Sequence, residues 1–280
     1  MNFQWYPGHM TKARRMMEEN IKLIDLLIEM LDARIPMASR NPDIDTLGKN
    51  KSRLVILNKA DLADPEVNQQ WIRYFQEQGA VTVEVNSKSG DGISKIKAAV
   101  EEACKAKLER DRARGIINRP VRAMVAGIPN VGKSTMINAI AGRPSAKTGN
   151  KPGVTKGKQW IRLQKNLELL DTPGILWPKM EDQQLGLHIA LIGSMNDELF
   201  ASDDLAFELI KELQQKYPLV LEQRFDAVKD LQDPIEILQA IAVSRGCLKK
   251  GAEPDLVKAG SILIEEFRSG KLGRLSLERP

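Results

Sequence analysis

The sequence predicts an α/β fold, a mostly parallel sheet with helices on both faces, followed by a small all-helical C-terminal domain. Short apolar runs of strand length alternate with helix-length segments up to Leu170. A glycine-rich loop connects one of these runs directly to a helix-like segment, and strand signals stop after Pro178. Alternation of this kind argues for parallel strands, because each parallel return needs a crossover that a helix can fill.

The elements follow in order. Residues 11–31 are expected to be helical, since Met16, Met17, Ile21, Ile24 and the Leu27/Ile28 pair recur at spacings of three to four. Strands are expected at 53–57, 81–85, 121–126 and 167–170, and residues 93–114 read as one long helix with a solvated charged face. A helix is expected over 182–195. Ser202 with Asp203 and Asp204 marks a further start, running to Tyr217 before Pro218. Asp233 and Pro234 open another that ends near Gly246, and residues 254–269 form the last, with Gly270 just past its end. The expected organisation is an N-terminal arm (1–13), an α/β domain (14–178) and a helical domain (179–280).

With 42% hydrophobic and 28% charged residues, the 280-residue chain reads as globular. No stretch reaches the roughly 18 uncharged apolar residues of a membrane helix, and the first residues lack the apolar core of a signal peptide. Cys104 and Cys247 are the only cysteines, too few for a disulfide framework or a cysteine-rich zinc site, so a reducing cytoplasm is the expected compartment. The net charge of +5 and the pI of about 9.1 suit a polyanionic partner without specifying one. Their distribution says more. Arg143, Lys147, Lys151, Lys156, Lys158, Arg162 and Lys165 follow one another with no acidic residue among them.

Gly127 to Ser134, Gly-Ile-Pro-Asn-Val-Gly-Lys-Ser, fits G-x-x-x-x-G-K-[ST] between an expected strand and an expected helix at 135–141. Glycines let the backbone fold around phosphates with its N–H groups inward, at a helix N-terminus that favours anions. Asn130, Val131, Gly132, Lys133, Ser134 and Thr135 are therefore the expected phosphate-binding set. Lys133 reaches the outer phosphates and the Ser134 hydroxyl ligates Mg²⁺. An ordinary strand–turn–helix is the alternative, and eight matching positions in the required context weigh against it.

The base is read elsewhere. Asn58-Lys59-Ala60-Asp61 matches N-K-x-D at the end of an expected strand. A carboxylate there accepts from guanine N1–H and the exocyclic amine, a donor that adenine lacks. Asn86-Ser87-Lys88, also after a strand, resembles the S-A-K loop of GTPases, with Asn86 departing from its first Ser. Asp171-Thr172-Pro173-Gly174 fits D-x-x-G after the strand at 167–170; its carboxylate would hold Mg²⁺ through water, and the Gly174 N–H would contact the γ-phosphate. Thr155 lies between cradle and D-x-x-G, where GTPases place a switch threonine that ligates Mg²⁺. GTP and GDP, with Mg²⁺, are the expected ligands.

Conventional GTPases run cradle, threonine, D-x-x-G, N-K-x-D, S-A-K. Here N-K-x-D and S-A-K come first, an order that resembles the circularly permuted P-loop GTPases. Trp5-Tyr6-Pro7-Gly8-His9-Met10, Asp32-Ala33-Arg34-Ile35-Pro36 and the run from Asp171 to Pro178 closely resemble the bacterial ribosome biogenesis GTPase A family, over essentially the whole chain. That resemblance implies a cytoplasmic factor acting late in assembly of the large (50S) ribosomal subunit. Its partners would be the subunit precursor, with its rRNA and ribosomal proteins, and its C-terminal helices would contact RNA; a monomer is expected. The competing readings are a GTP-switched regulator acting through protein partners, and an ATP-using kinase, which Asn58, Lys59 and Asp61 oppose.

Ras-like enzymes place a water-orienting glutamine where this chain has Ile175. Slow intrinsic hydrolysis is therefore expected, with stimulation by the ribosome. The resembling family implies His9 as a catalytic candidate, an imidazole that could orient water; a polar residue on a packing arm is the alternative. Asn130 is the other candidate, since related GTPases use an asparagine there to bind K⁺, against a role in shaping the loop. His188 reads as a packed or surface residue rather than a metal ligand. Lys12, Arg14, Arg15, Lys249, Lys250, Lys271, Arg274 and Arg279 could contact phosphate backbones, or simply form a solvated face.

Overall fold

Leu26–Asp32 forms a strand, β1, in which every residue is buried, hydrogen-bonded to a neighbour on each side. This corrects the second half of the helix expected over 11–31, while the described residues of its first half are helical. A strand covered on both faces reads as an unbroken apolar run, and such a run satisfies helical spacing as easily as strand spacing. Among the described residues before it, Arg15 and residues 18–20 are helical and a 3-10 turn, Ile21–Leu23, follows. The structure, a computed structural model, describes residues 15, 18–42, 44–116, 119–144, 159–164, 166–171 and 183–280.

The other strands are β2 (Ser52–Asn58), β3 (Val81–Val85), β4 (Val121–Ala126), β5 (Gln159–Gln164) and β6 (Leu167–Asp171), in the order β3-β2-β1-β4-β6-β5. All neighbours pair in parallel except β5, which runs antiparallel to β6. The strand β5 was not legible in the sequence, where Arg162 and flanking glutamines dilute its apolar signal. Helices α1 (Ile44–Leu47), α2 (Pro65–Glu77), α3 (Ile93–Ala103), α4 (Lys105–Ala113) and α5 (Lys133–Ala141) accompany the sheet. The single helix expected over 93–114 is two, because Cys104 leaves helical dihedrals (φ −99°, ψ 7°) and buries its side chain.

Helices cover both faces. Val67, Trp71 and Phe75 of α2 pack on Leu31, Val55 and Leu57. Ile96 and Val100 of α3, with Met136 and Ile137 of α5, pack on Ile28, Ile56, Val125 and Leu169. Each fully buried Leu, Ile or Phe stabilises by about 1.5–3 kcal/mol, so the sheet is a firm frame for the loops at its edge. Strands β1 to β3 step outward on one side and β4, β6 and β5 on the other. The reversal lies between β1 and β4, and ligands of open parallel sheets sit beyond the carboxyl ends of strands at such a reversal.

After residue 182 the structure is helical: α6 (Gln183–Leu191), α7 (Ser202–Lys216), α8 (Val220–Arg224), α9 (Pro234–Ser244) and α10 (Leu256–Arg268), with one isolated bridge, Leu248 to Pro254. Asp233 caps α9 by accepting from Ile235 and Glu236 N–H, with Pro234 in the first turn, and Asp255 caps α10 by accepting from Lys258 N–H. The helix expected over 182–195 stops at Leu191, and Gly193 follows with φ 78°. The apolar core is continuous from the sheet through Leu187 and Leu191 of α6 to Leu209 of α7 and Phe267 of α10. The chain end then returns to the sheet, where Leu275 N–H bonds the Leu62 carbonyl and Leu277 N–H the Arg34 carbonyl, both at 2.9 Å.

Candidate nucleotide site

Residues ending or following four parallel strands meet at the carboxyl edge of the sheet: Asn58 ends β2, Asn86 and Ser87 follow β3, Gly127 follows β4 and Asp171 ends β6. The cradle is shaped by its neighbours. A Cβ on Gly127 would stand 2.6 Å from the Met30 carbonyl of β1, and one on Gly132 (φ 103°) 2.4 Å from the Asn58 side-chain nitrogen. Helix α5 begins at Lys133, two residues before the expected start, with Met136 N–H bonding the Gly132 carbonyl at 2.9 Å. Lys133 is buried, and its Nζ donates to the carbonyls of Gly127 (3.0 Å) and Ile128 (2.9 Å), which keeps the ammonium inside the curve of the loop. Ser134 and Thr135, half-buried, follow on the first turn, where unpaired backbone N–H groups and the helix dipole favour anions. Val131 is fully buried.

Asn58 joins the parts. Its Nδ2 donates to the Val131 carbonyl at 2.7 Å, while its Oδ1 accepts from Ser87 N–H at 3.0 Å and Ser87 Oγ at 2.8 Å. Asn86 explains its departure from Ser: its Oδ1 accepts from Lys88 N–H (2.9 Å) and Ser89 N–H (3.1 Å), a turn that a serine hydroxyl forms more weakly. Lys88 and Asp61 are exposed, and Asp61 stands three residues past the end of β2.

Lys59 sits in the left-handed region (φ 57°) and its Nζ lies 3.0 Å from Asp32 Oδ2. Burial pushes the Lys59 ammonium below its ordinary value, Asp32 opposes that, and Arg34 adds to it. Burial alone would raise the Asp32 carboxyl, but Arg34 and Lys59 hold it far below the usual carboxylate range. Arg34 grips Asp32 with two parallel bonds, Nε to Oδ1 at 2.9 Å and Nη2 to Oδ2 at 2.8 Å, and lies 5.5 Å from the centre of the Phe267 ring. The Asp-Ala-Arg spacing permits this local fork. The sequence marked these residues only as part of a family motif.

The cradle is also held from the helices. Asn130 (φ 57°) donates from Nδ2 to the Gly193 carbonyl at 2.9 Å, and Ser194 Oγ donates to the Pro129 carbonyl at 2.8 Å. Arg268 of α10 donates to the Leu191 and Ala190 carbonyls at 2.8 and 2.7 Å. Ser194 and Arg268 are site-supporting residues that sequence reasoning missed, because each acts across a long separation in the chain. His188 is buried, as expected of a packed residue, with Nδ1 3.1 Å from Glu278 Oε1.

His9, Thr155, Gly174 and Ile175 lie outside the described residues, as do Lys12, Arg14, Lys147, Lys151, Lys156, Lys158 and Lys165; of Asp171 only the backbone is described. Arg143, Arg162, Lys249, Lys250, Lys271 and Arg279 are exposed. Among the described residues no helix is long and apolar enough to cross a membrane, and Cys104 and Cys247 are free and buried.

A phosphate cradle tied to a guanine loop at a sheet reversal, with the guanine loop earlier in the chain, defines a circularly permuted P-loop GTPase. The family profile described as "50S ribosome-binding GTPase" matches residues 122–234, the part after the permutation point. Ribosome biogenesis GTPase A of Bacillus cereus is 46% identical over 280 residues, covering 100% of this chain and 95% of that protein. The Thermotoga maritima protein of the same name is 33% identical, covering 99% and 94%. A GNP-bound crystal structure of YlqF from T. maritima superposes with a TM-score of 0.70 at 27% identity, covering 96% of this chain and 98% of that one. This chain belongs to the ribosome biogenesis GTPase A family, and it is a GTPase.

Proposed function

We propose that the chain is a GTP-hydrolysing assembly factor that acts late in maturation of the bacterial large ribosomal subunit. The observation that carries the chemistry is Asn58, whose one side chain bonds both the cradle at Val131 and the second guanine loop at Ser87. Asp61 would accept from the guanine edge, and Ser87 and Lys88 would present backbone N–H groups to the base. Lys133 would exchange its loop carbonyls for β- and γ-phosphate oxygens, aided by the N–H groups of Asn130 to Thr135.

The donors suit Mg²⁺. The Ser134 hydroxyl heads α5, and Asp171 ends β6 one residue past the Met124–Leu170 pair, close to the cradle strand. Hydroxyl and carboxylate oxygens, one from the start of α5 and one from the end of β6, are the hard ligands that Mg²⁺ prefers, with Thr155 the third candidate. When bound, the ion would supply positive charge against the phosphate oxygens. Gly174 N–H would meet the γ-phosphate. His9 would orient water in place of the side chain that Ile175 does not provide, and Asn130 Oδ1, the one cation-ligating atom of its amide, would help to hold K⁺.

The family name and the 50S description carried by the matching relatives and profile support the ribosomal assignment. We place the protein in the cytoplasm as a monomer. Its partners would be rRNA and ribosomal proteins of the precursor, and the division into arm, permuted GTPase domain and helical RNA-contacting domain follows residues 1–13, 14–178 and 179–280. Co-sedimentation with immature large subunits tests this. Association is expected with a GTP analogue and not with GDP; equal recovery under both conditions would rule it out and favour a regulator acting through protein partners.

A further inference from the structure

Residues 270–278 wrap around the loop that carries Asp61. Arg274 donates from Nε to the Ala63 carbonyl and from Nη2 to the Ala60 carbonyl, each at 2.9 Å. Between those contacts, Leu275 N–H bonds the Leu62 carbonyl at 2.9 Å. Ser276 Oγ accepts from Asp64 N–H at 3.1 Å, and its own N–H donates at 3.0 Å to the Tyr217 hydroxyl, which donates to the Asp64 carboxylate at 3.2 Å. Residues on both sides of Asp61 are thus held from the far end of the chain, while Asp61 itself stays exposed.

Such a loop needs outside support. It leaves β2 through Lys59 in the left-handed region, a conformation that a non-glycine residue adopts at a cost. Its other bonds are few: Ala60 N–H to the Val85 carbonyl at 3.2 Å, Leu62 N–H to the Lys59 carbonyl at 2.9 Å, Asn68 N–H to the Asp64 carbonyl at 2.9 Å where α2 begins, and a longer bond from Asn68 Nδ2 to the Ala60 carbonyl at 3.3 Å. Surface loops otherwise satisfy their carbonyls with water and sample many shapes. A carboxylate that reads two donors on a base must instead be held to within about 0.5 Å.

We propose that Arg274 is a specificity-determining positioning residue: by bonding the carbonyls that flank Asp61, it sets that carboxylate for guanine and makes docking of the C-terminal segment and base recognition depend on each other. The proposal rests on the reading of Asp61 as the guanine-selecting group. The dependence is reciprocal by linkage, so bound guanine should tighten the segment. Nothing in the sequence distinguished Arg274 from the other basic residues near the C-terminus, because its partners lie 211 and 214 positions away.

The test titrates the full chain with GDP and with IDP, which lacks the exocyclic amine. Arg274→Ala should weaken GDP binding about tenfold, the effect of one lost hydrogen bond on an equilibrium constant, and IDP binding less, so that the preference shrinks. Arg274→Lys, which can make one of the two bonds, should fall between. If the GDP-to-IDP ratio is unchanged in both variants, the proposal is overturned. Should Arg274→Ala not fold, hydrogen exchange on the unaltered chain decides. The Leu275 and Leu277 amides should gain more protection with GDP than with IDP at saturation, and equal gains overturn the proposal. Asp61→Asn, titrated alongside with xanthine nucleotide, separates the two failures. If it leaves base preference unmoved, the reading of Asp61 fails; if it switches preference while the Arg274 variants do not alter the ratio, only the role of Arg274 fails.

Discussion

Asn58 donates its side-chain amide to the Val131 carbonyl at 2.7 Å, a buried bond across 73 positions that ties the guanine loop to the phosphate cradle. Together with the two bonds its Oδ1 accepts from Ser87, it engages both polar atoms of the amide. Asn58→Ala should therefore leave the Val131 carbonyl and the Ser87 donors in want of partners. The expected loss is about 1–3 kcal/mol of stability in urea unfolding, with GDP affinity falling in parallel. Wild-type affinity in the variant would show that the two loops do not depend on this bridge.

Asp61→Asn exchanges an acceptor-only carboxylate for an amide that also donates. Guanine then loses a partner for its exocyclic amine, while xanthine, with a carbonyl there, gains one. A site built to hydrogen-bond one edge rejects the other strongly, so preference should move toward xanthine nucleotides by about a hundredfold or more. Competition between GDP and XDP for a fluorescent nucleotide measures it. An unmoved preference would remove the guanine assignment from this loop.

Much of this was legible in the sequence because motif residues fix short-range geometry. Gly127 is demanded by the approach of the Met30 carbonyl and Gly132 by its positive φ beside the Asn58 side chain, and their spacing to Lys133 survives any context. The strand β1 was misread for the opposite reason: Leu26 to Leu31 face protein on both sides, and burial on two faces erases the alternation that reports a strand. Asp32, Arg34, Arg268 and Arg274 carry no periodic signal, since their roles arise from partners that only the folded chain brings close.

His188 makes stability depend on pH. Burial would lower its pKa, but the Glu212 and Glu278 carboxylates raise it above the ordinary 6.5. Nδ1 lies 3.1 Å from Glu278 and Nε2 3.6 Å from Glu212, the latter an ion-pair distance rather than a hydrogen bond. A raised value means that the contribution is complete below pH 6.5 and is lost as pH rises through the higher folded value. Glu212 runs the other way. Despite burial, His188 and Lys216 hold it at about 2, so its contribution is complete above the ordinary 4.5 and fades as pH falls toward 2. His188→Gln should lower stability by about 1–3 kcal/mol at pH 6 and flatten the decline above it, read from urea midpoints across pH. Parallel slopes for variant and wild type would exclude the imidazolium.

Asn130 has two jobs to divide between its amide atoms. Nδ2 is committed to the Gly193 carbonyl at 2.9 Å, which leaves Oδ1 as the atom able to ligate a cation. Turnover should therefore be higher in K⁺ than in Na⁺, and Asn130→Ala should abolish the difference. Identical turnover of the wild type in the two salts would assign Asn130 to loop shaping alone.

The same amide is one of two bonds, with Ser194 Oγ to the Pro129 carbonyl, that clamp the cradle to the turn after α6. Arg268 then fixes the carbonyls of Ala190 and Leu191 just before that turn, linking it to α10. A change in the cradle on γ-phosphate binding thus has a packed route into the helices. The chain order supplies a second route, since the next described element after Asp171 is α6 and not a strand. An effector can shift such an element only by as much as its affinity differs between the two arrangements, and typical couplings are about 1–3 kcal/mol. That is roughly a 5- to 150-fold change in local opening, well within reach of amide exchange. Slower exchange in residues 183–280 with a GTP analogue than with GDP is expected, greatest at 188–194. In the Ser194→Ala chain the difference should shrink at 188–194. Identical exchange under both nucleotides in the wild type would mean that the helices do not sense the γ-phosphate, and ribosome association would then need another trigger.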